Sequence, residues 1–170
     1  WDEIVQRVAA AAKETDSTAW LIGRGWDQND WPKKAFPSNE ALNRLFPNRP
    51  VILTRIDGHA AIVNQKALDI AGIQPGDKIK GGDIEMKNPG PEDSFLPKLS
   101  GILVDNAVDL VSANIPSPSI AQVKAALQAA QRNCFAMGLT TVDDCGLDYE
   151  AINIIDSLQK TGDLQMRIYA

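Results

Sequence analysis

Between residues 118 and 170 the apolar pattern switches from helical spacing to a strand and back, and this alternation constrains the fold more than any other feature of the chain. Pro118-Ser119 opens a helix in which Ile120, Val123, Ala126, Leu127, Ala130 and Cys134 share one apolar face. Gly138 closes it, and the run Leu139-Thr-Thr-Val142 follows at once, finishing in Asp143-Asp144. Tyr149 to Lys160 is helical again, Gly162 stops it, and residues 164–170 begin another strand. Strand, helix, strand predicts right-handed βαβ units with parallel strands. Functional side chains in such units gather at the carboxyl ends of the strands.

The first half is less regular. Ile4, Val5, Val8, Ala9 and Ala12 form the apolar side of an opening helix. Residues 20–26 read as a buried strand whose glycines admit a close neighbour, and Asp27 to Pro32 is turn chemistry. A short helix carries Ala41, Leu42 and Leu45, with Ser38 or Asn39 as its cap. Residues 51–56 and 59–63 flank Asp57-Gly58, either as paired strands or around a sharp bend. Asn64 caps a helix over residues 65–71 that Gly72 closes. Residues 76–97 are rich in Gly, Pro, Asp and Lys, a loop or hairpin with one strand-like island at residues 83–87. Residues 101–104 form another short apolar element, and Asp105 or Asn106 can cap the helix after it.

Composition excludes several classes. A chain of 170 residues can bury a full core. The net charge of −5 and the absence of a basic patch argue against nucleic-acid binding. No apolar run approaches the ~20 residues that cross a bilayer, so the expected protein is soluble, in the cytoplasm or the bacterial envelope. Cys134 and Cys145 match no compact metal motif and read as structural thiols, with Cys145 the more open to reaction. The chain starts at Trp1 and ends in a strand that has only begun, which suggests a piece of a longer protein.

His59 is the one histidine, and it stands beside Asp57 at the end of an apolar run. Imidazole can act as acid, base or metal ligand near neutral pH. A satisfied, partly buried structural histidine is the competing reading. Asp105 either caps a helix or contacts a metal or ligand. Trp26, Asp27 and Trp31 are candidates for the rim of a substrate pocket, with core packing the simpler role for Trp20 and Trp26. Asp143 and Asp144, as neighbours on a strand, point to opposite faces and are no acid–base dyad.

Four stretches carry a resemblance: residues 20–27 (Trp-Leu-Ile-Gly-Arg-Gly-Trp-Asp), 55–64 (containing Asp-Gly-His and Val-Asn), 101–105 (Gly-Ile-Leu-Val-Asp) and 138–146 (Gly-Leu-Thr-Thr-Val-Asp-Asp-Cys-Gly). In this order, over nearly the whole chain, the sequence resembles the YtcJ-like branch of the amidohydrolase superfamily, which includes N-substituted formamide deformylases. The resemblance implies a metal-dependent hydrolase of amide-type C–N bonds. The implied fold is α/β: part of a (β/α)8 barrel with parallel βαβ units and a small β-rich insertion. Residues 1–115 would be the first half with the insertion, and residues 116–170 a barrel segment.

Such enzymes carry a His-x-His pair and further histidines that this chain lacks, and many have His-Asp where it has Asp143-Asp144. The resemblance therefore implies an internal piece, inactive alone. A divalent metal, zinc by expectation, would belong to the full-length protein and not to this piece. Within that scheme His59 and Asp57 line the pocket, His59 donating a hydrogen bond to a substrate carbonyl or oxyanion. Asp105 and Asp144 are weak candidates for metal contact. The expected partners are a small amide-type substrate and a second copy joined through exposed sheet edges. The alternative is a non-catalytic α/β binding or assembly module. A dinucleotide site is set aside, because Gly23-Arg-Gly25 lacks the third glycine and the following helix.

Overall fold

The computed structural model describes residues 1–87 and 97–170, so the stretch assigned to a loop or hairpin lies partly outside the described residues. The chain forms two compact units, Trp1–Ile115 and Pro116–Ala170.

The first unit is built on a five-stranded sheet. Its strands are β1 (Leu21–Trp26), β2 (Val51–Arg55), β3 (Ala60–Val63), β4 (Gly82–Met86) and β5 (Leu99–Asp105), in spatial order β1-β2-β3-β5-β4. Only β1 and β2 pair in parallel; β2/β3, β3/β5 and β4/β5 are antiparallel. Central strands are buried on both faces, and their side chains alternate between two cores. Val51, Leu53, Ile62 and Ile102 pack on one side with Val5 of α1 (Asp2–Ala11) and Leu42 of α2 (Glu40–Leu45). Ile52, Ala61, Val63 and Leu103 pack on the other, with Leu68 of α3 (Gln65–Ala71) and Val111 of α4 (Asn106–Ser112).

Two buried polar residues hold the strand ends. Asn64, with no exposed surface, accepts hydrogen bonds from Val51 N–H and Ala67 N–H and donates to the Phe46 and Arg49 carbonyls. Arg49 donates to the Ala12 and Ala19 carbonyls and to Thr15 Oγ1, anchoring the end of α1. Gly101, at φ 88°, is needed where β5 passes Val63: a Cβ there would lie 2.4 Å from the Val63 carbonyl oxygen.

In the second unit α5 (Ile120–Ala136) and α6 (Tyr149–Thr161) accompany β6 (Thr141–Asp143) and β7 (Arg167–Tyr169), which pair in parallel. A complete capping box between Ser119 and Gln122 starts α5. Ile154, Ile155 and Leu158 of α6, with Leu164 and Met166, are the buried core of this unit.

The expected barrel is corrected by this topology. Among the described residues the strands form an open mixed sheet and a separate two-stranded one, and none closes into a barrel. The reason lies in the connections. Parallel pairing needs a crossover of a dozen or more residues, whereas β2 and β3 are joined by residues 56–59 alone and must run antiparallel. The strand expected to be buried over residues 20–26 starts at Leu21 and lies at the sheet edge, where Ile22 is 63% exposed.

Candidate functional site

The β2–β3 turn places three polar side chains together. Gly58 N–H donates to the Arg55 carbonyl at 3.0 Å, closing the turn, and Gly58 takes the φ of 79° that follows it. Arg55, the last residue of β2, grips Asp57 with two bonds, Nε to Oδ1 at 2.8 Å and a terminal nitrogen to Oδ2 at 2.7 Å. Asp57 Oδ1 also accepts the His59 backbone N–H at 3.1 Å. The Arg55 hydrogen bond, with a smaller contribution from the His59 N–H, holds the Asp57 carboxyl below the usual carboxylate range, and burial opposes this only in part. In return Asp57 raises the already high Arg55 guanidinium further.

The next strand delivers the fourth group. Ala60 stands opposite Val104, so the ladder brings His59 beside Asp105. Asp105 N–H donates to the His59 carbonyl at 2.8 Å, and the Asp105 carboxylate meets His59 Nδ1 at 2.8 Å. The other nitrogen, Nε2, belongs to a side chain that is 71% exposed.

Asp105 reaches this position through an unusual backbone. Its φ of 49° and ψ of −125° form a combination that glycine ordinarily occupies in a type II′ turn, and it is the one non-glycine residue with positive φ among those described. Strain of this kind costs about 1–3 kcal/mol. Even a fully charged exposed pair returns only about 0–1 kcal/mol, so the His59 contact does not offset it. The bend sits where β4 approaches closely. Gly82 pairs with Asp105, and a Cβ at Gly82 would lie 2.5 Å from Ala107 N and 2.8 Å from the Val104 oxygen. Asp105 stands at the cap position of α4 yet makes no side-chain cap bond.

Trp26, Asp27 and Trp31 come together elsewhere in the same unit. They line a cleft of about 580 Å³ between α1 and β1, with Ile4 and Val8 on its helix side. Neither His59 nor Asp105 lines it. Trp26 serves both readings: it is 4% exposed, its indole N–H donates to the Leu53 carbonyl at 2.7 Å, and its ring stacks on Trp31 at 6.0 Å. Asp27 caps a 3-10 turn by accepting the Asn29 N–H. Phe36 sits edge-on to Trp26 at 6.3 Å, and the Arg55 guanidinium lies over the Phe36 ring at 5.8 Å. Arg55 thus joins the aromatic row to the Asp57–His59 turn.

Within the second unit, Asp144 Oδ1 accepts the Gly146 N–H and its own N–H donates to the Tyr169 carbonyl. Cys134 is half-buried beside the apolar core and Cys145 is exposed; both are free thiols.

A zinc site drawing on Asp105 or Asp144, the weak candidates for metal contact, is not borne out in this chain. Among the described residues no group of three or more His, Cys, Asp or Glu side chains can hold a metal ion. Hydrolytic zinc needs three protein ligands. Asp105 is engaged by His59, and Asp144 by its own loop. The residues present do not fit such a centre. No described helix is long and apolar enough to cross a membrane.

Sequence reasoning missed Arg55 and Phe36. An arginine two residues before an aspartate across a glycine turn is the signal that could have found the Arg55–Asp57 fork. For Phe36 there is no such signal, because only the fold carries it beside Arg55.

The sequence matches the Amidohydrolase family over residues 1–169. It is 36% identical over 139 residues to the YtcJ protein of Bacillus subtilis, whose name places it among the amidohydrolases, covering 82% of this chain and 25% of that protein. The Arabidopsis thaliana protein LONG AFTER FAR-RED 3 is 32% identical over 145 residues, covering 85% of this chain and 24% of that protein. The chain thus spans about a quarter of the length of the curated relatives it matches. Two crystal structures, each described as an uncharacterized metal-dependent hydrolase, share the fold. The one from Pyrococcus furiosus has a TM-score of 0.58 at 23% identity, covering 99% of this chain and 31% of that structure. For the one from Pyrococcus horikoshii the TM-score is 0.59 at 19% identity, with 99% and 30% covered.

Proposed function

The chain belongs to the amidohydrolase family, and from that premise we propose that it is part of a metal-dependent hydrolase of non-peptide C–N bonds, such as amides or formamides. The divalent metal would be held by residues beyond those described and would supply an activated water. The observation that carries the reading is the His59–Asp105 contact at 2.8 Å, which holds an exposed imidazole where strands of the sheet end.

The chemistry of this chain's own residues supports a substrate-facing role. Asp57 and Asp105 fix the main chain and ring of His59, and Nε2 is left for substrate. Trp26, Asp27 and Trp31 line an adjacent strand's cleft whose aromatic walls suit an apolar substituent.

The test is His59→Ala in the full-length enzyme, assayed on a panel of amides and N-substituted formamides with divalent metal supplied. Loss of a positioned acid–base group lowers kcat by about 10²–10⁴. Because His59 is largely exposed, the thermal midpoint stays within about 2 °C of wild type. An unchanged kcat refutes the role. A wild-type enzyme that turns over none of the panel leaves the non-catalytic binding module as the better reading.

A further inference from the structure

We propose that Asp105 is a positioning residue that decides which nitrogen of His59 carries the proton, so that the neutral imidazole meets substrate with a bare Nε2. Its action on substrate rests on the amidohydrolase reading; its action on His59 does not. An ionised carboxylate only accepts hydrogen bonds. The contact between Asp105 Oδ1 and His59 Nδ1 at 2.8 Å therefore needs the hydrogen on Nδ1. A neutral imidazole has one hydrogen, so Nε2 keeps its lone pair and accepts. This reverses the donor role that the family resemblance implies for His59.

Three features hold the arrangement. The main chain of His59 is fixed at both ends, its N–H donated to Asp57 and its carbonyl accepting from Asp105. Asp105 keeps a backbone conformation suited to glycine, at φ 49°. Gly82, on the paired strand, lets the backbone around that bend come close, since a Cβ there would meet Ala107 N at 2.5 Å. The same bend turns the carboxylate away from α4, whose cap bond it forgoes. A residue kept for helix capping would show the opposite choice.

In hydrolysis the consequence is a balanced proton relay. As a water oxygen bonds to the carbonyl carbon, a water proton moves to Nε2; as the C–N bond breaks, that proton passes to the departing nitrogen. Imidazole and Asp105 end as they began.

Because the chain contains a single histidine, its ring nitrogens can be read without ambiguity. The experiment is a long-range ¹H–¹⁵N correlation spectrum of the ¹⁵N-labelled 170-residue chain at alkaline pH, for wild type and Asp105→Gly. The expected wild-type spectrum shows Nδ1 protonated and Nε2 bare. Asp105→Gly removes the carboxylate and relieves the bend, so the proton moves to Nε2 while the thermal midpoint holds or rises by a few degrees. Wild type with Nε2 protonated, or the same tautomer in both proteins, overturns the proposal. In the full-length enzyme Asp105→Gly lowers kcat by about 10²-fold or more with KM nearly unchanged; full activity in that variant also overturns it. The spectrum needs no substrate, so its failure is distinct from a failure to find hydrolase activity.

Discussion

The Asn64 side chain makes more hydrogen bonds than any other described above, so Asn64→Ala is expected to be costly. The amide makes four hydrogen bonds, to Val51 N–H, Ala67 N–H and the Phe46 and Arg49 carbonyls, at 2.8 to 3.1 Å, and the residue has no exposed surface. Each buried bond contributes about 0.5–1.5 kcal/mol net, and a buried partner left unmade costs about 1–3 kcal/mol. Ala67 N–H retains the Asn64 carbonyl as a second acceptor, at 3.1 Å, so three bonds are lost without a local substitute. The expected loss is about 3–5 kcal/mol, against a total of about 5–15 kcal/mol for a typical domain. Trp1, Trp20, Trp26 and Trp31 all lie in the first unit, while Tyr149 and Tyr169 lie in the second. Tryptophan emission excited selectively during urea unfolding therefore follows the first unit by itself. The midpoint should fall steeply for Asn64→Ala, and Gln65→Ala, an exposed neighbour, should leave it almost unmoved. A loss below about 1 kcal/mol would refute the reasoning, because it would mean the four bonds are replaced at no cost.

Two further perturbations read other parts of the molecule. The Asp57 carboxyl, held down first by the Arg55 hydrogen bond, should titrate below the ordinary aspartate value by ¹³C NMR, and Arg55→Gln should return it upward. Its folded pKa is depressed, so its contribution to stability is present above the unfolded value of about 3.9 and is lost as pH falls through the folded value. Ser119→Ala breaks the capping box of α5 and should cost the second unit about 1 kcal/mol, seen in the tyrosine signal with the tryptophan signal unchanged.

Local chemistry made much of the structure legible. Asn64 and Gly72 bound α3 as their residue types require, with Asn64 accepting the Ala67 N–H and Gly72 at φ 70°. Asp57-Gly58 marked a turn, and the sequence left open whether it joined paired strands; the hairpin resolves that. What the sequence concealed was non-local. The further partners of Asn64 come from residues 46 to 51, and no periodicity encodes them. The barrel expectation came from resemblance, and it failed where short connections impose antiparallel pairing. At the site, His59, Asp57 and Asp105 were each visible as residue types. Their meeting depends on the β3/β5 register and on a backbone bend at Asp105, a residue whose identity gives no warning of positive φ. Trp26 was read in two ways, and its side chain is both buried and at the border of the cleft.

The edge position of β1 carries a kinetic consequence. Thr54 finds Ala61 through a tight turn, whereas Leu21 finds Val51 only after the whole intervening segment has been gathered in. Ordering a long loop delays the contact that closes it. The β2–β3 hairpin, with the His59 turn, is thus expected to assemble early in folding, and β1 to dock late. By the same reasoning β1 and α1 should be the first part of the sheet to exchange backbone hydrogens, so the cleft they enclose would breathe while the His59 turn stays ordered.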